Sequence, residues 1–123
     1  MTSGKERANW PDKTDTFKVV QLYVDDEPYL RFGSADSIHG HILADCLDKL
    51  KVPYHTMPNQ DGDEIPIAEG ERYRASGMGY GIVLPELTEV SFLGNSADYQ
   101  IGIDADHLQK IREISPDWVL EMK

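Results

Sequence analysis

The chain predicts an α/β protein of the α+β kind: a single mixed, mostly antiparallel sheet of about six to eight strands with two packed helices. Three observations predict it. Short runs rich in β-branched and aromatic residues recur, each bounded by Gly, Pro, Asn or Asp. Only two segments carry apolar residues at helical spacing. Two places show the turn chemistry of a hairpin, which joins neighbouring strands antiparallel.

Residues 1–15 are polar, mixed in charge and broken by Pro11, and read as a flexible leader, with Trp10 expected to pack back. Residues 16–123 are expected to form a single globular domain. Phe17 to Val24 reads as a strand, Asp25-Asp26-Glu27-Pro28 as a turn, and Tyr29 to Phe32 as the partner strand. Gly33 ends it. A helix follows at about Asp36 to Lys51, capped by Asp36 or Ser34, with Lys49 and Lys51 suiting its C-terminal dipole. Pro53 forbids continuation, and Tyr54 to Met57 reads as a short strand. Pro58 to Asp63 is a loop by its turn residues. Ile65 to Ile67 and Glu71 to Ala75 are extended, and Gly77-Met78-Gly79-Tyr80-Gly81 is expected to interrupt the pattern before Ile82 to Leu84. Glu89 to Leu93 and Tyr99 to Ile103 flank Gly94 to Ala97 as a hairpin. Asp104 caps a second helix, Ala105 to Ile114, stopped by Ser115-Pro116-Asp117 before a closing strand, Trp118 to Met122.

The 123 residues suffice for one domain with a real core. Acidic residues number 22 against 12 basic, a net charge of −10. That balance repels nucleic-acid phosphates and anionic membranes, so neither is an expected partner. The single cysteine, Cys46, permits no internal disulfide and fits a reducing compartment. With no membrane-length apolar run and no signal-peptide core, a cytoplasmic location is expected.

His39 is the residue with most chemical promise. Ile38, Ile42, Leu43, Cys46, Leu47 and Leu50 form one helical stripe, and His39 falls near its middle, while His41 falls opposite with Asp45 and Asp48. An inward imidazole in a first turn sits where the helix disfavours its protonation and attracts anions. It is a candidate general base, or else a core-edge histidine bonded to a carbonyl. Gly77, Gly79 and Gly81 permit an anion-holding backbone concavity, or a bulge in a twisted sheet. Lys18 ordinarily marks a solvent face and gains interest only if that face carries His39. Arg72 and Arg74 alternate on one face as edge charges or ligand contacts. No metal and no cofactor is expected: His39 and His41 point apart, and Asp61-Gly62-Asp63-Glu64 is out of register for a calcium loop.

These pieces, in this order, resemble the Janus/Ocnus family of small phosphohistidine phosphatases over about half of the chain. Phe17-Lys18-Val19-Val20 is similar to the family's Phe-Lys-Tyr-Val, and Ile38-His39-Gly40-His41-Ile42 to its Tyr-His-Ala-Asp-Ile. Leu30-Arg31-Phe32-Gly33 stands for its Val-Arg-Gly, and Ser76 to Gly81 for its Tyr-Ser-Met-Ala-Tyr-Gly. Ser115-Pro116-Asp117-Trp118 matches its Tyr-Pro-Asp-Tyr. The resemblance implies metal-independent hydrolysis of a protein phosphoramidate. It places His39 as catalytic base, Lys18 as the cation near phosphate, and the N–H groups of Gly77, Met78 and Gly79 as phosphate-binding. The chain departs from the family where Gly77 replaces a serine, where Asp61 to Ile65 replaces Gly-Gly-Gly-Arg-Ile, and where a hairpin at about Glu86 to Ile103 is inserted.

Two other readings belong to different classes. A non-enzymatic acidic interaction or inhibitor protein would cover a basic partner surface, with strong salt dependence and no need of His39. A small-ligand binder would line its pocket with Tyr73, Tyr80, Trp118 and the glycine run.

Overall fold

A computed structural model describes residues 6–123. The elements run β1 (Asp15–Val24), β2 (Glu27–Ser34), α1 (His39–Lys49), β3 (Thr56–Pro58), β4 (Glu64–Pro66), β5 (Tyr73–Leu84), β6 (Glu89–Leu93), β7 (Asn95–Ser96), β8 (Ile101–Gly102), α2 (Ala105–Ile114) and β9 (Val119–Met122). The mixed, mostly antiparallel α+β architecture is as expected. Its strands divide differently: five form the main sheet in the order β2-β1-β5-β6-β9, while β3-β4 and β7-β8 are separate two-stranded ribbons. Among these strands, only β6 and β9 pair in parallel. No helix among the described residues is long and apolar enough to cross a membrane.

The β1-β2 hairpin forms because Asp25 and Asp26 both adopt positive φ, 50° and 68°, the geometry whose twist matches two antiparallel strands. Alternation then sorts the side chains of β1 (Asp15–Val24). Val20, Leu22 and Val24 join Leu43, Cys46 and Leu47 of α1 in one core. Val19 joins Leu108 and Ile111 of α2 in the other, with Phe92 and Leu120. The sheet therefore has an α1 face and an α2 face, both buried.

Several expected boundaries move. The leader is not loose up to residue 15: Ala8 is buried and Asp15 already belongs to β1, while Trp10 packs back as expected, stacked on Trp118 at 4.3 Å. Its first five residues lie outside the described ones. Neither Asp36 nor Ser34 caps α1; the helix starts at His39 without a side-chain cap, and the Ser34 hydroxyl instead accepts from the Asp36 N–H. Gly94, at φ 77°, is a corner between β6 and β7 rather than a hairpin tip; the hairpin is β7-β8, closed by Gln100 N–H donating to the Ser96 carbonyl. Helix α2 matches its expected span, and the Asp104 carboxylate accepts from the N–H groups of Asp106 and His107.

Candidate functional site

The glycine run does not interrupt the sheet. It is the middle of β5, twelve residues long, with Gly79 opposite Val19, Met78 opposite Val20 and Gly77 opposite Gln21. None of its glycines has positive φ. A concave nest needs alternating left- and right-handed backbone, so the expected cradle of Gly77, Met78 and Gly79 amides is absent. Met78 is buried in the α1-face core. The glycines serve close packing instead. A Cβ on Gly79 would strike the Leu93 carbonyl at 2.6 Å and Ile103 at 2.8 Å, and one on Gly77 would meet the Gln21 side chain and the Asp104 amide.

His39 does face the sheet. It is 6% exposed, against an exposed His41, as the helical stripe requires. Its Nε2 lies 2.8 Å from the Gly79 carbonyl. A carbonyl only accepts, so Nε2 carries the proton and the neutral ring keeps its lone pair on Nδ1. Among the described residues, the only buried side-chain N or O without a hydrogen-bond partner is Ser76 Oγ. Nδ1 is not such an atom, and no hydrogen bond joins it to another described residue. Burial pulls the His39 pKa below the ordinary imidazole value; the Gly79 bond opposes this, Lys18 adds to it, and Asp98 opposes it.

Lys18 stands on the same face. It alternates with Val20 along β1 and lies directly opposite Tyr80, whose ring meets the His39 ring edge-on at 5.8 Å. Its ammonium donates to the Ser37 carbonyl at 2.5 Å, two residues before His39. The first amides of α1 have no side-chain acceptor, so a cation, an uncapped helix start and an imidazole meet at one end of the sheet. Asp98, whose charge slightly raises the His39 pKa, comes from the β7-β8 hairpin and accepts from Asn59 Nδ2 at 3.3 Å. Nothing in the sequence singled it out, because its approach depends on how the hairpin folds back.

The remaining candidates lie elsewhere. Arg72 forks onto the Asp25 carboxylate at 2.8 and 3.0 Å, and Arg74 sits over the Tyr23 ring at 4.8 Å. Tyr23 is five residues from Lys18 along β1, about 17 Å at strand rise. Tyr73 packs in the α1-face core and Trp118 against the α2-face core, so Tyr73, Tyr80 and Trp118 line no common pocket. Cys46 is buried packing, and burial raises its thiol pKa.

A second buried histidine escaped the sequence reading. His107 is fully buried, with Nε2 donating to the Leu22 carbonyl at 3.1 Å and Nδ1 receiving the Gln21 amide at 3.2 Å. Gln21 also grips the Asp104 backbone, donating to its carbonyl and accepting from its N–H. The signal was present in principle: a glutamine inside the apolar run of β1. No protein-family model matches the chain, and no curated protein matches it.

Proposed function

We propose that the chain is a metal-independent hydrolase of a protein phosphoramidate, with His39 as general base and Lys18 as the cation near the phosphate. The single observation that carries this reading is the meeting of the Lys18 ammonium with the uncapped first turn that holds His39. Nε2 is occupied by Gly79, so the ring is oriented and its basic nitrogen is Nδ1. Burial keeps that nitrogen unprotonated near neutrality. A water oxygen attacks phosphorus in line and gives one proton to Nδ1. The P–N bond breaks with its electron pair staying on the substrate nitrogen, that nitrogen takes a proton from solvent, and Nδ1 then releases its proton to solvent. The order of Phe17-Lys18, His39 and Ser76 to Gly81 along the chain, similar to that of the phosphohistidine phosphatases, adds support.

The test is phosphate release from a phosphohistidine peptide. His39→Gln keeps a side-chain amide donor for the Gly79 carbonyl but has no basic nitrogen. It is expected to lose roughly 10²–10⁴-fold in kcat, the range of a general base, without unfolding. Wild-type rates in that variant, or a wild-type chain that releases no phosphate, would remove the hydrolase and leave an acidic partner-binding protein.

A further inference from the structure

We propose that a groove between the segment before β1 and the loop after β2 seats a short basic segment of a protein partner, one apolar side chain resting on its floor. The groove encloses about 530 Å³, within the usual size of binding clefts. Phe17 and Phe32 form its floor, edge to face with centroids 6.4 Å apart. Asp12, Asp15 and Asp36 stand exposed around it, and the one cation there, Lys13, lies 4.0 Å from Asp15. Acids alone would be a solvated rim. The half-buried Phe17 ring, backed by the buried Phe32, gives a partner something to cover, and the excess of acids over Lys13 selects cationic neighbours for that apolar group.

The groove is separate from the Lys18–His39 cluster: Phe17 and Phe32 turn to the α2 face of the sheet, whereas Lys18 alternates with them onto the α1 face. The docking therefore does not rest on the hydrolase reading.

The test uses the full chain and a fluorescent, unphosphorylated nonapeptide with a central His, one Leu, and Lys and Arg elsewhere. Its counterpart carries Glu in place of every Lys and Arg. The basic peptide is expected to bind at least about tenfold tighter, and to lose about tenfold with Asp12, Asp15 and Asp36 all changed to Asn. Asn keeps the acceptor that Asp15 offers the Thr16 N–H, so the fold should survive. Ala35→Lys, an exposed groove position, is expected to weaken binding similarly. Equal affinity for both peptides, or affinity indifferent to these variants, would overturn the proposal. The phosphorylated peptides separate the two claims. His39-dependent release together with binding indifferent to peptide charge refutes the groove and keeps the hydrolase. Acid-dependent binding without any release keeps the groove and refutes the hydrolase.

Discussion

At the scale of single residues, two histidines share a mechanism of pKa depression and differ in what it does. For His39, burial is the leading cause and Lys18 adds to it, so Nδ1 loses its proton below the ordinary histidine value. A base must be unprotonated, so kcat is expected to rise with pH along an acid limb centred below 6.5 and to be flat near neutrality. A pH–rate profile centred above that value would exclude His39 as the base. His107 is held neutral by burial, with its pKa pulled down to about 4. Protonating Nδ1 would also set an N–H against the Gln21 amide. The unfolded state binds the proton first as pH falls. Stability is therefore complete above about 6.5 and declines through the window down to about 4. At 1.36 kcal/mol per unit, the loss is about 3 kcal/mol. Urea denaturation at pH 7 and pH 4.5, wild type beside His107→Gln, measures it: the variant is expected to be weaker at pH 7 but to lose less on acidification. The inward position of His39 was legible because helical spacing alone fixes a face. The role of His107 was not, because its partners Gln21 and Leu22 lie more than eighty residues away.

At the scale of elements, local chemistry announced several features decided locally, though not the uncapped start of α1 or the Gly94 corner. The Asp104 cap and the Pro116 stop act on their own neighbours and lie where the sequence placed them, while the expected turn of Asp25 to Pro28 tightens to Asp25-Asp26, with Glu27 and Pro28 already in β2. The glycines of β5 could not be read that way, since what they avoid is distant backbone. Gly79→Ala would drive a Cβ into the Leu93 and Gly94 carbonyls and Ile103. It is expected to cost about 1–3 kcal/mol, as overpacking does, in a thermal or chemical melt. A neutral result would mean that β6 and β7 yield easily at their corner. The opposite sign is expected at the first hairpin. Asp26 adopts φ 68°, and Asp26→Gly relieves that position while Asp25 keeps its fork to Arg72. A gain on the order of 1 kcal/mol should follow.

Across the whole molecule, the sheet buries both faces, so its remaining exposure is at its edges. The β9 edge is four residues long, and Arg112 covers its Leu120 carbonyl. The β2 edge is longer and is covered by the segment read from sequence as loose. Leu30 N–H donates to the Arg7 carbonyl, Ala8 bridges Leu30 in parallel, and Arg7 pairs with Glu27. The Asn9 side chain imitates a strand: its Oδ1 accepts from Phe32 N–H at 2.7 Å and its Nδ2 donates to the Phe32 carbonyl at 3.0 Å. Trp10 then closes the α2-face core by lying on Trp118 with 5° between the rings. Composition could not reveal this, because a polar segment that folds by lending backbone and amide groups to an edge looks like one that does not fold. Asn9→Ala removes both bonds at once and is expected to cost about 1–3 kcal/mol, with faster hydrogen exchange at the Phe32 amide. Trp10→Ala is expected to cost at least the roughly 0.5–1.5 kcal/mol that an aromatic pair adds beyond its buried area, and to abolish the near-ultraviolet dichroism of the stacked indoles. If the segment were an ornament on a self-sufficient sheet, the two changes would add without coupling and leave Phe32 protected. If it is the missing edge strand, Asn9→Ala alone should also diminish the indole signal, because the bond to Phe32 is what holds Trp10 over Trp118.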